Sequence, residues 1–364
     1  MLDKKIANKE AVAVILTIVI NLIILNSNKL IIRDCKSSSI LNCIFVSIIA
    51  IILVLIICKL FKNFPGQSLL DISNYIGGPF LKFTIGLIYT VYFTLISSFL
   101  LRRLCNSLQT IFFPLTDIIF ILLLFIISAA LVSKLGKAGA FKANLIISPL
   151  IYLVLILVFI GNTKNFNFNN IYPILGENID TTFFKGSSNL FAFIGLGYLY
   201  FIPSYLSDPN KFKNISIYSC FFSGLFLNLI VSTVLLMFNN TLSNSELFPL
   251  YLAVRYIEFG TFFQRLDSFF LLIVSLAFIS YLSISTIICT NILKKISNTT
   301  NNEPVIYPYL LCILSTSILI KNNPILEFFE NNVFKILFFS ITLALSFIIL
   351  ILANIKKKQV GGNN

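Results

Sequence analysis

Apolar residues run in long blocks along this chain, separated by short polar joints. Blocks of roughly 20 residues are what a helix needs to cross a hydrocarbon core. The pattern predicts ten such spans, at about 11–32, 40–60, 83–101, 115–133, 143–161, 188–206, 215–238, 267–290, 304–320 and 333–354. The expected fold is an all-α polytopic membrane protein, with residues 1–364 forming one transmembrane permease domain. The first block lacks a small-residue cleavage site, and apolar sequence resumes after Asn26-Ser27-Asn28, so it reads as a retained span.

Composition agrees with this pattern. Hydrophobic residues make up 57% of the chain and charged residues only 11%, where a soluble domain carries about a quarter charged. Mean hydropathy is +0.94. The net charge of +13 does not point to nucleic acid, because only five residues are Arg and the Lys residues gather at the ends of apolar blocks. That placement fits the positive-inside rule and attraction to anionic lipid headgroups in the bilayer. With the N-terminus inside, the inner joints hold 16 of the 27 basic residues, ending in Lys356-Lys357-Lys358. Both termini are therefore expected in the cytoplasm.

There is no His, which removes the commonest metal ligand and a histidine proton relay. The seven Cys show no CxxC spacing and lie in or beside apolar blocks, so they read as small packed hydrophobes. Acidic residues are scarce in the spans: Asp117 lies near an outer end and Asp267 at a mouth. Intramembrane carboxylates usually mark proton relays, so proton-driven transport is not expected. No nucleophile–base set is evident either. The chain is expected to be no enzyme, with no metal site and no cofactor.

Ten spans divide into five plus five, about 11–161 and about 188–354. Inverted repeats of this kind carry broken helices at matching positions. The candidates are span one, interrupted at Asn26-Ser27-Asn28-Lys29, and span six, with Gly195-Leu196-Gly197-Tyr198 and then Pro203. Glycines here also suit close helix packing.

Two stretches go beyond generic hydrophobicity. After span two comes Phe64-Pro65-Gly66-Gln67-Ser68-Leu69, followed by Ile72-Ser73, Tyr75-Ile76, Gly78 and Gly86-Leu87-Ile88-Tyr89. Residues 247–274 read LFPLYLAVRYIEFGTFFQRLDSFFLLIV, with Pro249, Arg255, Glu258, Arg265 and Asp267 in characteristic order. Together with the span layout, these motifs resemble the spore germination permease family, which supplies the B subunit of nutrient germinant receptors within the amino acid–polyamine–organocation transporter superfamily. The resemblance covers essentially the whole chain. It implies a LeuT-like core with helices one and six broken, and a place in the inner membrane of a spore. It also implies two partners, a larger membrane A-type subunit and a lipoprotein C-type subunit, and a small-molecule germinant, of which amino acids are frequent in the family.

On this resemblance, Asn26, Ser27 and Asn28 occupy the unwound part of span one, and Gly195, Gly197 and Tyr198 the matching half of a binding pocket. The chain departs from the family here: it lacks the usual glycines in span one and the acidic residue often found near Gly197. The alternative for Asn26–Asn28 is an early end of span one at the outer surface, with Lys29 snorkelling. Arg255 and Glu258, at i and i+3, share a helix face and can pair. An interfacial helix would hold these charges at headgroup level and dip Tyr251, Phe259 and Phe262 towards the acyl chains. Pro65, Gly66, Pro249, Arg255, Glu258, Arg265 and Asp267 are expected to set subunit contact or gating geometry. Span eight carries Ser275, Ser280, Ser283, Ser285 and Thr286, which either coordinate a cation with carbonyls of span one or bond neighbouring backbone. The leading expectation is a germinant-binding receptor subunit. An active amino-acid transporter of the same fold, and an ion or metabolite conduit within the receptor, are the alternatives.

Overall fold

The computed structural model describes residues 5–176, 178–238, 248–257, 266–297, 303–320, 335–336 and 339–361. Helices dominate it. α1 spans Asn8–Leu22, and the Glu10 carboxylate accepts from the Ala7 backbone N–H at 3.0 Å to close its first turn. From Ala13 to Leu22 every α1 residue is buried. A helix apolar on all sides belongs in the middle of a structure. There α1 packs against α6 (Gly136–Gly161), α8 (Phe212–Met237), α10 (Leu266–Ser297) and the span-six segment.

The first break in regularity is at Ile23–Ser27, which winds as a π turn before the chain continues as α2 (Asn28–Cys35). Backbone angles stay right-handed helical across the junction. Span one is thus interrupted where expected, but by widening rather than unwinding. It does not end early at a surface, since Asn26, Ser27 and Asn28 are all buried.

α3 (Ser39–Phe61) returns across the bundle. Its residues Ile44, Ile48, Ile52 and Leu55 lie on one outward stripe, each at least 41% exposed. Large apolar surface of this kind belongs against hydrocarbon, not water. Six helical stretches among the described residues are long and apolar enough to cross a membrane: Asn8–Phe61, Leu69–Ile111, Gly136–Gly161, Pro209–Met237, Leu266–Ser297 and Ser340–Gln359. Expected spans four and nine fall on the shorter α5 (Ile118–Lys134) and α11 (Glu303–Leu319). At α5 Asp117 accepts from the Ile119 N–H, so this acid is a helix cap. Short α7 (Ile179–Phe183) precedes span six, and α9 (Pro249–Arg255) precedes α10.

Span three is longer than its apolar block suggests. Helix α4 runs from Leu69 to Ile111 with a kink at Gly77-Gly78, where Gly78 takes φ 67° and Pro79 restarts the helix. Span six is the larger departure. Residues Lys185–Tyr200 and Ile202–Tyr205 wind as 3-10 turns, a tighter form seldom sustained beyond a few residues. A second π turn, Ser340–Leu345, precedes α12 (Ser346–Gly361).

Both described ends of the chain share one face. Ile6 N–H donates to the Tyr205 carbonyl at 2.9 Å, Asn63 bonds Asn354 at 2.6 Å, and Lys357 donates to the Asn63 carbonyl. The turn at Gly66, φ 73°, seats against Pro209 here. This face carries the lysine-rich joints. α4 starts on it at Leu69 and climbs to the opposite face at Ile111.

Candidate functional site

The expected site residues divide into two layers. The first lies at the π turn of span one. Arg103 Nη1 donates to Asn26 Oδ1 at 2.6 Å, joining α4 to span one in a buried contact. Arg102 and Arg103 are only 7% and 8% exposed. Ser27 Oγ donates to the Leu22 carbonyl at 3.4 Å and Asn28 Nδ2 to the Ile24 carbonyl at 3.3 Å. These bonds take up backbone carbonyls around the widened turn. Of the three residues, Asn26 is the one whose side chain bonds another helix among the described residues.

The second layer is deeper, towards the face bearing the chain ends. A Cβ built on Gly195 would lie 3.0 Å from Ile18 Cγ2 and 3.5 Å from Val19 Cα, so at Gly195 span six packs directly on α1. Asn26 is seven residues beyond Val19, about 10 Å along the helix. Gly197 faces elsewhere, towards Tyr92 and Thr342, beside a cavity of only about 20 Å³. Such a space is far too small for a small-molecule ligand. The halves of the expected pocket are therefore both buried but not brought together.

Tyr198 is the deep layer's centre. Its ring stacks on Phe93 at 3.8 Å, and its hydroxyl meets Ser285 Oγ at 2.7 Å. Ser285 also meets Ser97 at 3.0 Å, and Ser97 meets the Tyr281 hydroxyl at 3.2 Å. Four neutral hydroxyls thus link α4, span six and α10, beside a buried Tyr309 hydroxyl that donates to Cys289 Sγ at 3.0 Å. Tyr92 supports the arrangement by donating to the Ile194 carbonyl at 3.0 Å, a carbonyl without an α-helical partner in a 3-10 segment. Ser97 lies six residues before Arg103 on α4, about 9 Å below it. The two layers form a column along α4.

Span-eight hydroxyls are otherwise engaged. Ser283 donates to the Ile279 carbonyl and Thr286 to the Leu282 carbonyl, both at 2.7 Å, while Ser280 donates to Asn144 Oδ1 at 2.8 Å. Asn21 Nδ2 reaches the Ala277 carbonyl at 3.3 Å, tying α1 directly to α10.

Among the motif residues, Pro65 and Gly66 form the turn against Pro209, and Pro249 opens α9. Arg255 is exposed at the end of α9. Tyr251 does not dip outward: it is buried, and its hydroxyl donates to Asp267 Oδ2 at 2.9 Å. The charge at the start of α10 thus receives a neutral donor from α9. Glu258, Phe259, Phe262 and Arg265 lie outside the described residues.

Sequence reasoning did not single out Arg103, Ser97 or Tyr281. The signal for Arg103 was two adjacent arginines inside an apolar run, since charges at such positions face protein interiors. It also missed Asp34, whose carboxylate takes a 3.3 Å contact from the buried Lys335 Nζ at the outer end of span one.

Comparison with known proteins follows the same geometry. In solved structures the chain aligns with Mhp1, a nucleobase-cation-symport-1 family transporter in a closed conformation with bromovinylhydantoin bound, at TM-score 0.70 and 12% identity, covering 96% of this chain and 78% of that one. A Na+-coupled sialic acid symporter in an outward-open state aligns at TM-score 0.66 and 11% identity over 89% of this chain and 76% of that one. These likenesses establish a LeuT-type transporter fold. Spore germination protein KB of Bacillus subtilis (strain 168) is 26% identical over 278 residues, 72% of each chain. The model of the family described as "Spore germination protein" matches residues 5–325. With that match spanning the central helix, both polar layers and the motif segments, the chain belongs to the spore germination protein family.

Proposed function

We propose that this permease is the B subunit of a spore nutrient germinant receptor, binding a small germinant, an amino acid, between span one, α4, span six and α10. The family match over residues 5–325 carries this reading. The chemistry of the column supports it. Arg103, now bonded to Asn26, offers a guanidinium to a carboxylate, and the hydroxyls of Ser97, Tyr198, Tyr281 and Ser285 offer neutral acceptors to an ammonium. Ser97 and Arg103 keep their spacing of about 9 Å along α4, so it is the long Arg103 side chain, leaving Asn26 for the ligand carboxylate, that would close the distance to the hydroxyls.

In this reading the protein sits in the inner membrane of the spore with both termini in the cytoplasm. It signals through an A-type membrane subunit and a C-type lipoprotein subunit, and it catalyses no reaction. Deleting the gene and scoring spore response to single amino acids tests the function. Loss of response to one or a few of them is expected, and unchanged germination with every nutrient overturns it. Co-purification of A- and C-type subunits with the tagged chain tests the partners. Uptake of an amino acid by proteoliposomes containing this chain alone would instead favour a transporter.

A further inference from the structure

On the face carrying the chain ends, a cavity of about 520 Å³ opens between the end of α3 and the start of α8. Its walls change character with depth. Leu55 and Cys58 of α3 supply an apolar side, and Phe61 and Phe212 add buried rings 5.4 Å apart. Around them stand three exposed cations, Lys59, Lys62 and Lys213, and among the described residues no carboxylate lines the space.

Several other lysines of this face are engaged. Lys295 pairs with Asp71 at 2.7 Å, Lys211 with Asp208 at 3.8 Å, and Lys356 donates to the Tyr75 carbonyl at 2.7 Å. Lys59, Lys62 and Lys213 form no hydrogen bond or ion pair with any described residue. Three uncompensated cations converging on one cavity are complementary to an anion.

The surroundings select the kind of anion. From the cavity, α3 presents the exposed stripe Leu55, Ile52 and Ile48, and its packing partner α8 presents Tyr218, Phe221 and Phe222. Two adjacent apolar tracks below a cationic cavity match an amphiphile with an anionic head. A soluble anion would use the lysines and leave the tracks unused.

We propose that this cavity binds the headgroup of an anionic phospholipid, with its acyl chains lying along α3 and α8. The position has a consequence for the fold. Pro65 and Pro209 also line the cavity, and a Cβ on Gly66 would lie 3.3 Å from Pro209 Cγ, so the lipid would brace the contact between the Gly66 turn and the segment after span six.

The test uses the full-length chain in detergent, with native mass spectrometry against phosphatidylglycerol and phosphatidylcholine. Wild type is expected to retain phosphatidylglycerol preferentially. The triple variant Lys59→Gln/Lys62→Gln/Lys213→Gln should bind it about a hundredfold more weakly, roughly fivefold per lysine. The corresponding triple Lys→Arg variant should bind like wild type, and so should Lys211→Gln, whose lysine pairs with Asp208 outside the cavity. Unchanged melting of each variant in phosphatidylcholine vesicles shows that folding is intact. Retention by the triple Gln variant at the wild-type level overturns the proposal, as does an equal loss in Lys211→Gln, which would mean diffuse surface charge. Full competition by equimolar glycerol 3-phosphate also overturns it, because the acyl tracks would then contribute nothing.

Discussion

Replacing Gly195 with alanine puts a methyl carbon 3.0 Å from Ile18 Cγ2, 3.3 Å from Val19 Cγ2 and 3.5 Å from the Val19 backbone Cα. Carbon pairs settle at about 3.5–4.0 Å, so α1 and the 3-10 segment must separate by a few tenths of an ångström. Overpacking of this kind costs about 1–3 kcal/mol. The alanine also restricts the unfolded chain, which returns about 0.4–1 kcal/mol. The net expectation is a loss of about 1 kcal/mol. At Gly197 the nearest atoms to a new Cβ are Thr342 Cγ2 at 3.4 Å and the Tyr92 ring at 3.5 Å, which are ordinary contacts. There only the unfolded-state effect operates, and Gly197→Ala should stabilise by about 0.4–1 kcal/mol. Denaturant unfolding of the purified chain in detergent measures both. A double-mutant cycle sharpens the test. Ile18 is 1% exposed, so Ile18→Ala alone costs about 2–5 kcal/mol. Combined with Gly195→Ala it should cost about 1 kcal/mol less than the sum, because the clash disappears with the side chain. If Gly197→Ala is the more destabilising change, or if the cycle shows no coupling, the packing of span six against α1 is wrong as described.

Three further outcomes are expected. Asn26→Ala removes the acceptor of a bond to a buried guanidinium, worth about 1.5–3 kcal/mol; a change below about 0.5 kcal/mol in the same unfolding assay would refute that contact. Ser285→Ala breaks bonds to both Ser97 and Tyr198, whereas Tyr198→Phe breaks one. At about 0.6 kcal/mol per intramembrane hydrogen bond, the serine change should cost about twice as much, and the reverse order contradicts the cluster. Cys312 is exposed and the other six cysteines are buried. Cys312 lies within span nine and faces hydrocarbon, where the reactive thiolate does not form, so N-ethylmaleimide should label no thiol in the native chain and all seven after denaturation, as read by intact mass.

Hydrophobic blocks made most helices legible, because a residue's preference for hydrocarbon depends little on its neighbours. Local winding was less so. Nothing in Ile23–Ser27 announces a π turn, since the extra residue is accommodated only by packing against α4 and span six, which lie far away in sequence. Gly195 and Gly197 signalled a special segment, yet their spacing could not say that one meets α1 and the other α4 and the turn before α12. The apolar block of span three looks short because Asp71 and Lys82 interrupt it. Asp71 is accommodated by Lys295, which is more than two hundred residues away, at 2.7 Å. The sequence around Arg103 does not disclose its partner Asn26, because that pairing is set by how α4 crosses span one.

The polar contacts are graded in strength along the bundle, and the grading suits a ligand-driven change. Charged contacts lie at the two faces: Asp34 with Lys335 at the outer end of span one, and Asp71 with Lys295 at the opposite face. Between them, the hydroxyl bonds among Ser97, Tyr198, Tyr281 and Ser285 are neutral. At about 0.6 kcal/mol each, the three bonds together hold the centre closed by about 2 kcal/mol. A ligand present at a hundred times its Kd supplies about 2.7 kcal/mol to whichever state binds it. On the proposed reading, a ligand that replaces these hydroxyl bonds with its own, and gives Arg103 a carboxylate in place of Asn26, can therefore open the centre while the ion pairs at both faces stay intact. Movement would then begin around Tyr198, and in the proposed receptor the face contacts would follow only if the change reached a bound partner.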